Sequence, residues 1–271
     1  MKKKDEININ LNNKNALISG GSSGIGSSIA QSLLKSGCKI GIFSRDLDNL
    51  YKFKKKQNKD LQKKIYIYKY DATKEENFQE MYDYFNNKLS KIDILINNVG
   101  GGGTWGNVDY EKTDFFTWEE VFNKNFKISY KLTMNVLKDM LRSNWGRIIT
   151  VSSIYGKEFG GRPWFNSAKA AQISLMKNLS HYDKATKKNI TFNSISPGAT
   201  FTKKSGWAKL KKENSKKFKA FEKSIPVGKF VNADDIGKLV LFLCSDFSKS
   251  INGTNITIDG GESISYWYWV K

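Results

Sequence analysis

A glycine-rich turn near the N-terminus has the residue types and the spacing that can bind a pyrophosphate. The stretch Ser19-Gly20-Gly21-Ser22-Ser23-Gly24-Ile25-Gly26 puts glycines where a chain must turn tightly, approach a phosphate and pack a helix against a sheet. A turn of this kind alone is a weak signal, and a purely structural turn is the alternative. Here it follows a predicted strand and opens a predicted helix, and this context favours a dinucleotide site.

Apolar runs and amphipathic stretches alternate along the chain and must position that turn. Residues 15–19 form the first predicted strand, and Ile25, Ile29 and Leu33 follow at helical spacing. The alternation predicts an α/β fold, a Rossmann-type doubly wound parallel sheet of about seven strands flanked by helices, with ligands beyond the carboxyl ends of the strands. We predict the remaining strands at 40–43, 65–70, 91–97, 147–152, 189–195 and 255–258.

The chain length of 271 residues fits a single dinucleotide-binding domain over residues 1–271, since no internal repeat or linker is evident. A lysine-rich stretch, 203–223, carries apolar residues at helical spacing, among them Trp207 and Phe218. We therefore expect a mobile helical flap over the ligand site at about 199–225.

The formal charge of +19 is typical of proteins that bind polyanions. Only four of the 45 basic residues are arginines, however, and arginine is the residue that phosphate clamps and base readers favour. No nucleic-acid-binding motif is present, so we predict no nucleic-acid partner. The charge can still draw an anionic substrate to the site.

The two cysteines, Cys38 and Cys244, stand far apart among apolar residues, so we expect buried free thiols and no metal site. The N-terminal residues are charged and lack the apolar core of a signal peptide, and no stretch approaches the ~18 apolar residues needed to cross a bilayer. We therefore expect a cytoplasmic protein without a membrane partner.

The order and spacing of several motifs resemble the short-chain dehydrogenase/reductase family over about residues 14–262. The matching motifs are the glycine-rich turn, Asp71, Asn97-Asn98-Val99-Gly100, Asn125, Ser153, Lys169, Pro197-Gly198 and Asp259-Gly260-Gly261. The resemblance implies that Asp71 holds the adenine amino group and that Asn97 supports the central strand and the cofactor ribose. The cofactor-binding residues it implies are Gly20, Ser22, Ser23, Gly24, Ile25, Gly26, Ser44, Arg45, Asp71, Ala72, Asn98, Gly100, Lys169, Pro197, Gly198 and Thr200.

The second strand ends at Phe43-Ser44-Arg45, where NAD-specific members of the family usually carry an acidic residue. A carboxylate would repel a 2′-phosphate, whereas the guanidinium of Arg45 can pair with it. A solvated surface arginine is the alternative, and the family's other frequent basic position, inside the glycine-rich turn, is Ser23 here. We predict NADP(H) as the cofactor, with NAD less favoured.

In members of this family a serine holds the reacting oxygen, a tyrosine transfers its proton, a lysine lowers the tyrosine pKa, and an asparagine orders a relay water. Ser153, Lys169 and Asn125 occupy three of these positions. The tyrosine would lie four residues before Lys169, on the same face of a helix, and position 165 is a phenylalanine. Phe165 keeps the ring but has no proton to transfer.

Three side chains are candidate replacements for the missing proton donor. Tyr155 begins the loop that lines the family's substrate pocket, and Glu158 follows on the same loop, although either could be only a packing or surface residue. Lys169, without its tyrosine and partly desolvated, could also act as an acid. The single histidine, His181, is expected to be structural.

We favour an atypical NADP(H)-dependent oxidoreductase with a relocated proton donor, for carbonyl reduction or alcohol oxidation on a small, anionic or sugar-derived molecule. The alternatives are a cofactor-binding protein without redox turnover and a non-redox lyase or isomerase that uses the same pocket. The resemblance also implies a homo-oligomer, a dimer or tetramer built from the long helices before and after Ser153. The aromatic tail 266–270 suits burial in such an interface.

Overall fold

The computed structural model describes residues 8–203 and 205–264. The strands in chain order are β1 (Asn15–Ser19), β2 (Lys39–Ser44), β3 (Ile65–Lys69), β4 (Ile94–Asn97), β5 (Gly146–Val151), β6 (Ile190–Pro197), β7 (Thr200–Phe201), β8 (Val231–Asn232) and β9 (Asn255–Ile258). Within the described residues, seven of them form a parallel sheet in the order β3-β2-β1-β4-β5-β6-β9, and β7 pairs with β8. This order confirms the predicted doubly wound sheet, whose strand order reverses between β1 and β4.

Helices connect the strands and cover both faces of the sheet. They are α1 (Gly24–Lys35), α2 (Leu47–Lys55), α3 (Lys59–Lys63), α4 (Phe78–Leu89), α5 (Phe115–Phe122), α6 (Ile128–Ser143), α7 (Pro163–Leu179), α8 (Asp183–Thr186), α9 (Gly206–Glu213), α10 (Ser215–Ser224) and α11 (Ala233–Cys244). A π-helical turn, Asn123–Lys127, joins α5 to α6. No helix in the described part of the chain is long and apolar enough to cross a membrane.

The continuous apolar strands are buried on both faces, as a parallel sheet between two helical layers requires. In β1, Ala16 and Ile18 join the core beneath α1 and α11, whereas Leu17 points to the opposite core beneath α4 and α6. Cys38 and Cys244 lie in the first of these cores as buried free thiols, as predicted.

One predicted strand boundary is wrong by three residues, because the strand predicted over 91–97 begins at Ile94. Asp93 is buried at its entrance, where the carboxylate accepts a hydrogen bond from the Asn15 main-chain N–H at 3.0 Å and pairs with Lys91 at 3.0 Å. A buried carboxylate needs such partners. Asp93 therefore forms a polar entrance to the strand, with its main chain still bonded to Asn15 and Arg147.

The segment predicted as a flap contains β7 and the two short helices α9 and α10. Aromatic side chains hold these helices together: Trp207 stacks on Phe221 with ring centroids 4.3 Å apart, and Phe218 stacks on Phe230 at 4.8 Å. The lysines of this segment lie mostly on the exposed side. The predicted interface tail, 266–270, lies outside the described residues.

Candidate active site

A cleft of about 430 Å³ opens at the carboxyl ends of the strands, where the strand order reverses between β1 and β4. Ligands bind at this position in open α/β sheets. The turns that follow β1, β2, β3 and β4 all contribute to it. Its lining residues are Gly20, Ser23, Ile25, Gly26, Ser44, Arg45, Tyr70, Asp71, Ala72, Thr73, Asn98, Val99, Gly100, Lys124, Thr200, Thr202 and Ser205.

Most of the residues predicted to bind a cofactor therefore lie together on this cleft. Ser22 is not among the lining residues, but its hydroxyl donates to Ser44 Oγ at 3.1 Å and so ties the glycine-rich turn to the end of β2. Gly24, Lys169, Pro197 and Gly198 are also predicted residues that are absent from the lining.

The glycine-rich turn leaves a cradle that only a bare backbone can form. A Cβ atom at Gly26 would overlap the Gly20 carbonyl and the Asn98 side chain. Asn98 Nδ2 donates to Ser19 O at 2.9 Å and to Gly20 O at 3.3 Å, so this amide fixes the turn against β4. The turn leads directly into α1, whose N-terminal amides and dipole favour an anion.

Three charged residues face one end of the cleft. Burial raises the pKa of Asp71. Two hydrogen bonds donated by Thr73, together with the positive charge of the nearby Arg45, outweigh this effect and hold the pKa of Asp71 below its ordinary value. Burial and Arg45 lower the pKa of Lys124. A glycine cradle at a helix N-terminus, a carboxylate and two cations fit a dinucleotide that carries phosphates and a base amino group.

Lys169 lies behind the cleft as a buried amine. Its Nζ donates to Val151 O at 3.0 Å and to Gln172 Oε1 at 3.1 Å, and burial lowers its pKa to about 7. A Cβ atom at Gly100 would lie 3.1 Å from this Nζ and 2.6 Å from Asn125 Oδ1. Gly100 also lines the cleft, so this glycine is the point where the cleft meets two of the predicted catalytic residues.

Asn125 lies in the π-helical turn and is fully buried. Its side-chain Nδ2 donates to Gly101 O and to Val121 O, each at 2.8 Å, and its Oδ1 accepts from the Gly101 N–H at 3.1 Å. Its main-chain carbonyl accepts from Gln172 Nε2 at 2.8 Å. The side chain therefore holds the loop after β4, and the main chain holds α7. π-Helical turns are frequent at functional sites.

Phe165 occupies the helix face above Lys169, with its ring centroid 5.6 Å from the lysine Nζ. The ring also approaches Gly103, where a Cβ would lie 3.4 Å away. Next to it, Trp164 is fully buried and packs edge-on against Trp118 with centroids 5.5 Å apart. These aromatics form an apolar wall beside the amine.

Ser153 follows β5, and its hydroxyl oxygen accepts from the Tyr155 N–H at 3.2 Å, which caps a short 3₁₀ turn, Ile154–Gly156. The turn packs on α7, since a Cβ at Gly156 would lie 3.1 Å from the Lys169 carbonyl. Tyr155 is half-buried, and burial together with Glu262 raises the pKa of its phenol. The phenol is therefore protonated at neutral pH.

Glu158 lies farther along the same loop and is partly buried. Its Oε2 accepts from the Ile264 N–H at 3.4 Å, and its main-chain carbonyl accepts from Asn166 at 2.9 Å. The structure thus places Glu158 at the junction of this loop with the C-terminal segment, where the chain leaves β9.

Several residues at the site were missed in the sequence, and three of them are charged or amide side chains that bear on its chemistry. Lys124 directly precedes Asn125 but reads as one of many lysines; its Nζ lies 4.1 Å over the Trp105 ring and lines the cleft. Gln172 lies three residues after Lys169, a helical spacing that could have identified it. Glu262 carries no local signal, yet it accepts from the Ala199 N–H at 2.6 Å, and burial raises its pKa.

Known proteins resemble this chain over most of its length. The family model for enoyl-(acyl carrier protein) reductase matches residues 20–263. A 3-oxoacyl-[acyl-carrier-protein] reductase of Rickettsia prowazekii is 32% identical over 256 residues, which cover 93% of this chain and 98% of that protein. An acetoacetyl-CoA reductase of Shinella zoogloeoides is 31% identical over 249 residues, covering 91% and 97%.

A solved structure shares the fold. It is a 7α-hydroxysteroid dehydrogenase complexed with NADH and 7-oxo glycochenodeoxycholic acid, and it matches with a TM-score of 0.81 at 27% identity. The match covers 94% of this chain and 96% of that chain.

Proposed function

Since this chain belongs to the short-chain dehydrogenase/reductase family, we propose that it is an atypical NADP(H)-dependent oxidoreductase that interconverts a carbonyl and an alcohol on a small anionic molecule. The observation that supports this most strongly is the position of Gly100, which lines the nucleotide-sized cleft and also packs beside Lys169 and Asn125. NADPH, when bound, is a hydride donor. The chain itself must bind, orient and supply a proton.

The residues that hold the cofactor in this proposal are those of the cleft. The main-chain amides of the glycine-rich turn and of the first turn of α1 bind the pyrophosphate. Asp71, kept ionised by Thr73, accepts from the adenine amino group. Arg45 pairs with the 2′-phosphate and so selects NADP(H) over NAD(H).

The residues that act on the substrate follow the family pattern with one change. The hydroxyl of Ser153 holds the substrate oxygen, and the fully buried Asn125 fixes the loop behind it. Phe165 has no proton to give, so the donor is Tyr155, Glu158, Lys169 or a water molecule. Lys169 has a pKa of about 7, which suits a group that transfers a proton near neutral pH.

The relatives suggest which carbonyl to test first. Two of them are named as a 3-oxoacyl-[acyl-carrier-protein] reductase and an acetoacetyl-CoA reductase. The formal charge of +19 and the lysines of α9 and α10 favour an anionic substrate here. Acetoacetyl-CoA is therefore the first probe, in a panel with neutral and sugar-derived ketones.

Calorimetric titration tests the cofactor assignment. We expect the native protein to bind NADPH at least about tenfold more tightly than NADH, about 1.4 kcal/mol. Arg45→Ala should abolish that difference while leaving NADH affinity nearly unchanged. Equal affinities in the native protein, or an unchanged preference in the variant, would refute the role of Arg45.

Phe165→Tyr tests the catalytic assignment. It adds a hydroxyl beside Lys169 and should raise the rate of carbonyl reduction about 100-fold or more, since general acids contribute about 10²–10⁴. The rate is measured as NADPH consumption with the carbonyl panel. If neither protein consumes NADPH although both bind it, the chain is instead a cofactor-binding protein without redox turnover.

We also propose that the chain works as one domain and as a dimer or tetramer. The long helices α6 and α7 precede and follow Ser153 in the chain. Helix α6 exposes Tyr130, whose ring stacks on that of Phe126. Light scattering at micromolar concentration should give twice or four times the mass of 30.9 kDa. A monomer at that concentration would exclude this assembly.

A further inference from the structure

The side chain of Gln172 joins Lys169 to the π-helical turn. Gln172 Oε1 accepts from Lys169 Nζ at 3.1 Å, and Gln172 Nε2 donates to the Asn125 carbonyl at 2.8 Å. The amide can have only this orientation, because an ammonium only donates and a carbonyl only accepts. Gln172 has no exposed surface, so both of these bonds are shielded from water.

A buried ammonium needs an acceptor for each of its three protons. Among the residues that the structure describes, Lys169 donates to two acceptors, Val151 O and Gln172 Oε1. The ring of Phe165, 5.6 Å from Nζ, offers only a π face, and Gly100 also lies close to this amine. Gln172 therefore supplies one of these oxygen acceptors, whereas Phe165 supplies none.

We propose, on the basis of the proposed function above, that Gln172 is a positioning residue that holds the Lys169 amine between β5 and the π-helical turn and keeps it charged enough to act beside Phe165. Neither the glutamine nor this link follows from the serine, lysine and asparagine pattern in the sequence. In this arrangement the roles of Phe165 and Gln172 are complementary. Phe165 offers the amine no oxygen, and the Gln172 side chain offers it one.

The protonation state of Lys169 responds to this contact. Burial lowers the pKa of Lys169 to about 7, so the amine is balanced between its charged and neutral forms near neutral pH. A hydrogen bond from the charged form to Gln172 Oε1 stabilises that form. Without it, the neutral amine would predominate.

Two substitutions at position 172 change this contact in opposite directions. Gln172→Leu removes the acceptor and should lower the pKa of Lys169 by about half a unit or more. Gln172→Glu keeps an acceptor, adds a negative charge beside Nζ, and should raise the pKa by about one unit or more. Met176→Leu, at a buried position one turn farther along α7, is the matched control and should leave the pKa unchanged.

The full-length protein labelled with ¹³C at the lysine ε-carbon reports this pKa directly by NMR. The Lys169 signal is assigned by its loss in Lys169→Met. Opposite shifts for the leucine and glutamate variants, with no shift in the control, support the proposal. Titration midpoints that match the native one in folded variants overturn it.

A measurement on the native protein covers the case in which both variants unfold. The ¹⁵N signals of the Gln172 side-chain amide should titrate with the same midpoint as Lys169. An amide signal that does not change across that midpoint overturns the proposal. Neither readout needs turnover, so a failed NADPH assay would reject the oxidoreductase function and leave the role of Gln172 to be judged separately.

In an active protein the positioning role has a kinetic consequence. Gln172→Leu should move the pH profile of kcat toward lower pH and reduce kcat at pH 7, while KM for acetoacetyl-CoA stays within about twofold. A larger KM with an unchanged pH profile would indicate a substrate contact and overturn the positioning role.

Discussion

Lys169→Met should stabilise the protein at acidic pH and lose this advantage as the pH rises. In the unfolded chain the lysine is protonated up to about its ordinary pKa of 10.5, whereas burial lowers the pKa in the folded protein to about 7. Unfolding therefore takes up a proton between these two values. The penalty of this group is complete below pH 7 and is relieved as the pH rises toward 10.5, so the free energy of unfolding rises with pH.

The size of the effect follows from the two pKa values. One pH unit is worth about 1.36 kcal/mol for one proton. From pH 7 to pH 9 the native protein should gain about 2–3 kcal/mol from Lys169. The methionine variant lacks this contribution, so its stability relative to the native protein should fall by that amount over the same range. The loss of the hydrogen bonds to Val151 and Gln172 shifts the free energy of unfolding of the variant by a constant amount. It does not change how the difference from the native protein depends on pH.

Urea unfolding of both proteins in steps from pH 6 to pH 9 measures this difference. Lys177→Met removes an exposed lysine from the same helix and is the control. The reasoning is refuted when the curves of free energy against pH for the native protein and Lys169→Met run parallel. It is also refuted when the stability of Lys169→Met relative to the native protein rises with pH.

Three further predictions concern the cleft and the proton donor. Lys124→Ala should weaken NADPH binding about tenfold and reduce the salt dependence of that binding in calorimetry. The control is Lys127→Ala, which removes a lysine of the same π-helical turn that pairs with Glu75, and it should have neither effect. Equal effects of the two substitutions would exclude a specific role for Lys124. Gly26→Ala should destabilise the protein by about 1–3 kcal/mol in urea unfolding, because its Cβ overlaps the Gly20 carbonyl, and unchanged stability would contradict the cradle. Tyr155→Phe should reduce kcat for acetoacetyl-CoA about 100-fold if its phenol is the donor, and a retained rate assigns the proton to Glu158, Lys169 or water.

The fold was predictable because its signals are local. Runs such as Ala16–Ile18 and Ile40–Phe43 must be buried on both faces, and the glycine-rich turn can only connect a strand to a helix at close range. The start of β4 was not predictable in this way. Ile92 is as apolar as the strand residues Ile94 and Ile96, and only the buried Asp93 and its partner Asn15, 78 residues away, separate it from the strand.

The site was predictable where position along a strand decides it. Arg45 follows β2 directly and Asp71 is the second residue after β3, so their place on the cleft follows from the parallel sheet. Gln172 and Glu262 were missed because what matters is the partner: the Asn125 carbonyl in one case and the Ala199 amide in the other. Sequence patterns assign side chains to faces, but they do not show which main-chain atom of a distant segment a side chain will bind.

The cleft also has a consequence for folding. The walls of the cleft come from segments as far apart in the chain as Gly20 and Ser205. The central strand of the sheet, β4, pairs with β1 across a separation of 78 residues. Such long-range parallel pairing forms slowly. A partly assembled chain has no complete site, so a dinucleotide binds only the finished sheet and adds about 4 kcal/mol at a thousand times its Kd. Bound cofactor would then protect the folded chain against unfolding.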